Sequence, residues 1–439
     1  MRIAVIGAGI VGVTTAHALH ADGHQVTVFE RRGSAATESS FANAGFLAPG
    51  YVTPWASPGM LRKVLSQSFD RDAAVRLGGI PGPALWSWLL KWRRACQPKV
   101  YARNRDAMLR LAQDSLARVQ AIADEHRIEY ERSQGVLVLL RDSAEVTQVR
   151  RGLALLAEAG LDFHLVDADA CRRIEPALEQ ATQLTAGVHH PGAGVGNCRQ
   201  FALQLKSALQ ARGVEFLLQS EVTRLDPQGE GVVVHSAPCD VNAESIFDHA
   251  ERRTRPLAAR SLTFDAAVIC AAMGTSRLLS PLKLRLPLQP IYGYSVTLPV
   301  RQFEAYPDMG PRAALMDERY KVAITRLGDR VRIAGSAELG GRADVHNEQS
   351  LATLYRVLED WFPSAVSQTQ VQTWKGARPM LPDGPPAIGS AGAPGLWLNT
   401  GHGSSGWALA CGSARLTADL VAGRTPDIDP DPFSPQRWR

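Results

Sequence analysis

Cysteine is scarce. Cys96, Cys171, Cys198, Cys239, Cys270 and Cys411 are the six in 439 residues, and no two of them stand in a C-x-x-C spacing. Neither a zinc site nor a dithiol redox pair is therefore expected, and scattered thiols in a long chain fit the reducing cytosol. Charge of one sign is almost balanced out: 48 Lys and Arg against 43 Asp and Glu leave a formal +5. So small an excess suits anionic substrates or an acidic lipid surface, and no basic block stands beside regularly spaced aromatics, so nucleic acid is not an expected partner. No run of 18 uncharged apolar residues occurs, so a membrane-spanning helix is not expected. The apolar opening is broken by glycines and leads to no small-residue cleavage site, so it does not read as a signal peptide. Repeats and low-complexity segments are also missing. What is left is an ordinary soluble composition, 45 % hydrophobic and 21 % charged, long enough for two or three cores.

The first thirty residues read as strand, tight turn, helix, turn and strand. Arg2–Ile6 is β-rich, Ile10–Leu19 has helical spacing, Asp22-Gly23 is a turn, and Val26 and Val28 alternate up to Glu30. Further along, 91–132 reads as helical, 135–140 as a strand, 152–160 and 200–212 as helices, 215–218 as a strand and 266–271 as a buried strand. Residues 236–261 read as a polar surface excursion. Strands are expected at 292–298, 321–325 and 330–334, a helix at 350–362, a strand at 396–399, a glycine-rich loop at 401–406 and a last helix at 407–420.

Two motifs carry chemistry. Gly7-Ala8-Gly9-Ile10-Val11-Gly12 follows a strand and opens a helix, with Glu30 standing 18 residues beyond Gly12 at the end of the next strand. Gly7 allows the turn, Gly9 lets backbone approach a pyrophosphate, and Gly12 lets the helix pack on the sheet. The helix N-terminus offers free N–H groups to phosphate, and Glu30 suits a ribose. Arg31 stands beside it. NAD or FAD fits equally at this point. Near the other end, Asn399-Thr400-Gly401-His402-Gly403-Ser404-Ser405-Gly406-Trp407 leads into a helix. A second positive helix end suits the electron-rich edge of a reduced flavin, which nicotinamide does not need.

Taken in order with Ser39-Ser40-Phe41-Ala42-Asn43-Ala44-Gly45, Gly293-Tyr294-Ser295 and the run from Trp374-Lys375-Gly376-Ala377-Arg378-Pro379 to Gly384, these motifs give a sequence that resembles the D-amino acid oxidase superfamily of flavoproteins, bacterial D-amino acid dehydrogenases above all. The resemblance runs from residue 1 to about 423. It implies FAD as cofactor, with the first motif on its ADP half and the segment from Ser39 through Asn43, Ala44 and Gly45 along the pyrophosphate and isoalloxazine. Gly401, Gly403, Ser404 and Gly406 would hold the pyrimidine edge, and Val222 and Ala271 to Gly274 would lie near the adenosine. It implies an α/β fold: a Rossmann-like FAD-binding domain from 1–85, 186–280 and 376–439, and a substrate domain with a mixed antiparallel sheet from 86–185 and 281–375. The chain departs from the family's dehydrogenases where they often carry Lys at Tyr292, Asp at Asn197 and Thr-Leu at Ser404-Ser405.

Arg378 is the expected carboxylate clamp, since a guanidinium fork grips a carboxylate bidentately and the family places its clamp in this Arg-Pro motif; the alternative is an ion-paired arginine. Tyr292 and Tyr294 alternate about Gly293, so both face one way, either towards substrate or as half-buried sheet aromatics. His402 either meets the flavin or stiffens its loop. The stretch Trp86-Ser87-Trp88-Leu89-Leu90-Lys91-Trp92-Arg93-Arg94 packs its tryptophans inward or meets a membrane interface.

The implied activity is oxidative deamination of a small amino-acid substrate, a D-amino acid, to a 2-oxo acid and ammonia by hydride transfer from Cα to flavin N5. Electrons would pass to a quinone or other transfer partner, in the cytoplasm and with peripheral contact at the inner face of the membrane. An oxidase of glycine, sarcosine or another secondary amine would share nearly every motif. A nicotinamide dehydrogenase would share only the first. A non-catalytic dinucleotide-binding subunit would need no clamp.

Overall fold

The computed structural model describes residues 1–60, 64, 72–79, 82–239, 258–301 and 309–438. Most of the surface excursion expected at 236–261 lies outside them.

Arg2–Ile6 is the hinge of a six-stranded sheet. It pairs in parallel with Gln25–Phe29 on one side and with Ala266–Ile269 on the other. Glu215–Leu217 continues the first side; Leu396–Thr400 and then the antiparallel Ala387–Ser390 continue the second. Strand order thus runs outward in both directions from the carboxyl end of Arg2–Ile6, the kind of switch point at which open α/β sheets bind ligands. The helices Ile10–Ala21, Cys198–Ala211 and Gly406–Val421 pack together beside this sheet, with Val13, Leu19, Phe201, Leu205, Ala410 and Ala414 in one apolar core.

The second sheet has ten strands. Its path runs Gln372–Met380, Gln289–Pro299, Arg330–Leu339, Val322–Leu327, Ala314–Asp317, Ser133–Leu140, Ala186–Val195 and Phe46–Leu47, with Val75–Leu77 and His164–Asp167 attached at its sides. All its pairings are antiparallel except Ala314–Asp317 with Ser133–Leu140 and Arg330–Leu339 with Val75–Leu77. The fold is therefore α/β with a Rossmann-like part and a mixed, mainly antiparallel sheet. Phe46–Leu47, Ala186–Val195 and the whole of Gln372–Met380 sit in the large sheet, so the chain passes between the two sheets several times. The helix Glu348–Trp361 covers one face, where Leu354, Val357 and Trp361 meet Val296, Ile324 and Ile333. Asn347 starts it: the Asn347 side chain accepts from the Ser350 N–H at 3.0 Å.

The helical stretch expected at 91–132 is two helices, Pro83–Ala95 and Pro98–His126. Pro98 forces the break, because the residue before proline is pushed out of the helical region, and Gln97 has ψ 136°. In the first of these helices Leu85, Trp88, Trp92 and Ala95 are buried. Trp88 and Trp92 lie nearly parallel 6.5 Å apart, and Trp88 Nε1 donates to the Met380 carbonyl at 3.1 Å. Trp86 and Leu90, one turn apart, are 57 % and 58 % exposed. The segment thus packs Trp88 and Trp92 inward and leaves Trp86 at the surface. Among the described residues no helix is long and apolar enough to cross a membrane.

Candidate active site

A trough runs between the two sheets. One end is a cavity of about 110 Å³ lined by Gly7, Glu30, Arg31, Val222, Ala271 and Gly274. The other is a cavity of about 310 Å³ lined by Asn43, Ala44, Gly45, Tyr294, Arg378 and the loop 401–406. Gly9, Ser39, Ser40, Cys270 and Ala272 line both, so the two are one continuous cleft.

The smaller end is shaped by the first motif. Gly7 has φ +106°, open to glycine at no cost, and a Cβ on Gly12 would overlap the Gly7 carbonyl oxygen. Gly12 therefore lines neither cavity but sets how closely the helix Ile10–Ala21 approaches the turn. Glu30 is held by backbone: Oε2 accepts from the Ala8 N–H at 2.7 Å and Oε1 from the Arg32 N–H at 2.9 Å. Burial raises its pKa, against the pull of those two N–H groups. Arg31 closes the mouth by pairing with Glu38, Nε to Oε1 at 3.0 Å.

At the larger end two helix N-termini converge. Gly9 and Ser405 are the N-caps of Ile10–Ala21 and Gly406–Val421, and neither helix has a side-chain cap on its own chain end. Ser40 Oγ accepts from the Ile10 N–H at 3.0 Å, leaving the rest of that positive end to the cleft. The segment Asn43–Gly45 is pinned from the large sheet. Arg332, buried beneath it, donates to the Asn43 carbonyl at 3.1 Å and Thr325 Oγ1 to the Ala44 carbonyl at 2.8 Å, while Asn43 Oδ1 accepts from the Gly45 N–H at 3.0 Å. Ser39 Oγ donates to the Ala377 carbonyl at 2.6 Å, tying this segment to the strand that carries Arg378.

His402 is turned into the protein. Its Nε2 lies 2.9 Å from Ser413 Oγ, whose hydroxyl hydrogen goes to the Ala410 carbonyl, so His402 is the donor. Burial lowers its pKa to about 3, so it stays neutral and anchors the loop to the helix behind it. A bridge between Met380 and His402 joins the loop to the Arg378 strand.

The sheet carries a bulge at this point. Tyr292 pairs with Glu338 but Tyr294 pairs with Gly335, so Ser336 and Ala337 both stand opposite Gly293. Ser336 has φ +58°, a conformation that costs a non-glycine residue energy, and the bulge turns its carbonyl to accept from Arg378 Nη1 at 2.7 Å. Gly293 lets the guanidinium lie against its backbone, since a Cβ there would overlap it. Among the described residues no carboxylate pairs with Arg378. Burial alone pulls its pKa down to about 10, so it remains charged at neutral pH. The Trp55 ring lies 6.0 Å from it.

Tyr294 and Tyr292 share a face, as their spacing predicts, and Lys375 sits over both rings, its Nζ 4.5 Å from the centre of Tyr292 and 5.2 Å from that of Tyr294. The Tyr294 hydroxyl donates to Glu338 Oε2 at 2.5 Å and accepts from the Asn347 N–H at 3.1 Å; Lys375 pairs with the same carboxylate at 2.8 Å. Burial and Glu338 push the Tyr294 phenol well above its usual pKa. Tyr294 lines the cleft as a ring, its hydroxyl committed; Tyr292 does not line it. Asn197 stands apart from the cleft as an N-cap, accepting from the Gln200 N–H at 3.2 Å and donating to Glu131 at 2.7 Å. Sequence reasoning missed Tyr51, Met316, Lys321 and Trp374, which line the cavity beyond Arg378. Only Trp374 had a signal, its place beside the arginine motif.

The cleft fits a dinucleotide whose two ends differ. The model of one protein family, described as FAD dependent oxidoreductase, matches residues 2–420. The chain belongs to that family. It is an FAD-using oxidoreductase, and Glu30, the glycine turn, Asn43–Gly45 and the 401–406 loop are the groups that can hold the cofactor. A D-amino acid dehydrogenase of Bradyrhizobium diazoefficiens is 36 % identical over 442 residues, spanning 100 % of this chain and 99 % of that relative. One from Methylobacterium sp. is 38 % identical over 443 residues with the same coverage. Among solved structures, glycine oxidase from Geobacillus kaustophilus superposes with a TM-score of 0.72 at 18 % identity, covering 99 % of this chain and 98 % of that one. L-proline dehydrogenase from P. horikoshii gives 0.70 at 18 %, covering 100 % and 97 %. At such identities these two share the fold.

Proposed function

We propose that the chain oxidises a D-amino acid at its Cα–N bond, giving a 2-oxo acid and ammonia, and passes the electrons to a quinone-type acceptor. The observation that carries the amino-acid half is Arg378: a half-buried, cleft-lining guanidinium with one backbone partner and, among the described residues, no carboxylate. A charge held this way costs stability unless a ligand carboxylate answers it. The D configuration and the non-oxygen acceptor are supported by the names of the full-length relatives, which are dehydrogenases of D-amino acids.

Bound FAD supplies the two-electron oxidation, and the protein's own part is to bind, orient and exclude water. Arg378 holds the substrate carboxylate, the Gly293 backbone sets the height of that fork, and the Tyr294 ring and Trp374 wall the pocket. Tyr294 keeps its proton for Glu338, and His402, with its pKa lowered by burial to about 3, is too weak a base, so neither removes a proton from substrate. The substrate amine must therefore arrive neutral. Loss of the Cα hydrogen with its bonding pair, as hydride, and of one N–H proton to water leaves an imino acid, which water hydrolyses to the 2-oxo acid and ammonia without a protein nucleophile.

The test is anaerobic bleaching of the bound flavin with D-amino acids, L-amino acids and N-methyl amino acids in turn, followed by reoxidation with air or a quinone dye. Bleaching led by D-amino acids, with fast reoxidation only by the quinone, is expected. Equal or faster bleaching by glycine, sarcosine or L-amino acids would replace the D-amino acid reading, and fast peroxide formation in air would replace the acceptor.

A further inference from the structure

On the far side of the first helix from the cleft, two helix C-termini meet. His17 lies one turn before the end of Ile10–Ala21, and Glu125 and His126 close the helix Pro98–His126. The Nε2 atoms of His17 and His126 face each other at 3.1 Å with their rings nearly perpendicular, 82°. Glu125 Oε1 is 3.5 Å from His126 Nε2, and one ligand atom from each of the three residues lies within 4.8 Å of the others.

We infer that His17, Glu125 and His126 form a site for one borderline divalent cation, with Zn²⁺ the best match. Zinc–nitrogen bonds of about 2.0–2.1 Å in a tetrahedron put neighbouring nitrogens about 3.3–3.4 Å apart, close to the spacing already present. Two imidazoles and one carboxylate are a common zinc donor set, with water completing four-coordination. Each imidazole in its neutral form offers one ring-nitrogen lone pair to a cation. The two helix C-termini add partial negative charge around the same point. Without a cation, two neutral Nε2 atoms facing each other share a single hydrogen bond.

One group opposes the cation. Arg212, in the turn after Cys198–Ala211, donates to Glu125 Oε1 at 2.8 Å and is half exposed. It must swing outward for Glu125 to bind metal, which caps the affinity and makes Arg212 a probe of the site. The first helix advances about 10 Å from Ile10 to His17 at 1.5 Å per residue, so the cation sits apart from the cleft and clamps the helix whose other end lines it. The sequence gives no sign of this site, because His17 and Glu125 are 108 residues apart.

The holoprotein, stripped with chelator and freed of it, is titrated with ZnCl₂ by calorimetry, and Tm is followed in parallel. One saturable equivalent and a Tm that rises with Zn²⁺ are expected. Changes behind the ligands alone cost about 10–100-fold in metal affinity, so His17→Gln and the pair His17→Gln/His126→Gln, still yellow, must lose at least as much. Arg212→Gln, at the surface and away from the core, must bind Zn²⁺ more tightly. No one-equivalent binding, binding unchanged in the double variant, or no gain in Arg212→Gln would each overturn the site.

Discussion

Arg378→Met removes the charge while keeping much of the side-chain volume, and the structure fixes what should follow. The guanidinium is half-buried, charged at pH 7 with a pKa near 10, and answered among the described residues by one carbonyl, that of Ser336 at 2.7 Å. A hydrogen bond to a charged group contributes about 1.5–3 kcal/mol, and 1.36 kcal/mol is tenfold, so kcat/KM for an amino acid should fall about ten- to hundredfold. The same substrate decarboxylated to its amine never used the clamp and should lose almost nothing. Arg378→Lys should recover part of the loss, since an ammonium is a point charge and cannot reproduce a planar fork. Removing an unanswered buried charge should also leave the substrate-free protein no less stable. The assay is kcat/KM with an artificial quinone for both substrates in all three proteins, with flavin content and Tm recorded for each. Equal losses for acid and amine, or a Tm that drops sharply in Arg378→Met, would show that the arginine supports the fold and that the carboxylate is held elsewhere.

Gly293→Ala places a Cβ where the Arg378 guanidinium lies; kcat/KM for the amino acid should fall by about tenfold or more while FAD stays bound, as one charged hydrogen bond is lost, and an unchanged value would mean the fork has another seat. Glu30→Gln sets an amide NH₂ against the Ala8 or Arg32 N–H; FAD should bind about tenfold more weakly, read from flavin fluorescence on dilution, since a buried donor left unmatched costs about 1–3 kcal/mol. His402, His17 and His190 have folded pKa values lowered from 6.5 to about 3, 4 and 4. Below pH 6.5 the unfolded chain takes protons that the folded one refuses, so each histidine makes stability fall as pH falls, by up to about 1.4 kcal/mol per pH unit, until its folded pKa is passed. Urea unfolding between pH 6.5 and 4.5 should show the slope, and His402→Gln should flatten it by up to one proton; an unaltered slope would contradict the burial of that ring.

The first βαβ unit was legible because every level agreed: an apolar run, a glycine turn, a helical period and an acid at the end of the next strand. Parts of the large sheet were not. Ala186–Val195 contains three glycines and a proline, residues that argue against a strand when read locally, yet it lies between Ser133–Leu140 and Phe46–Leu47 with the ladder reset by a bulge. Ser220–Gln228 and Gly231–Pro238 form a hairpin broken by Pro227 and a turn glycine, too short in pattern to show a clear period. Tertiary pairing overrides local preference in these strands.

In the site, the residues that announce themselves are those that must be one particular type in one local setting: glycines at a turn, an arginine before proline, a glycine-rich loop before a helix. Whatever acts across the sheet is silent. Nothing in the sequence near Ser336 predicts a bulge, but the bulge gives Arg378 its one hydrogen bond, and the absence of a side chain at Gly293 gives the guanidinium its bed. Tyr294 was read either as turning its hydroxyl hydrogen towards substrate or as a half-buried sheet aromatic. Glu338, 44 residues away, takes that hydrogen, and Lys375 neutralises Glu338, leaving a tyrosine that presents only its ring. Arg378 is thus the cleft's uncompensated charge in a neighbourhood where Glu338 and Lys375 cancel each other. That contrast supports the proposal that the pocket receives a carboxylate rather than an amine or a hydroxyl.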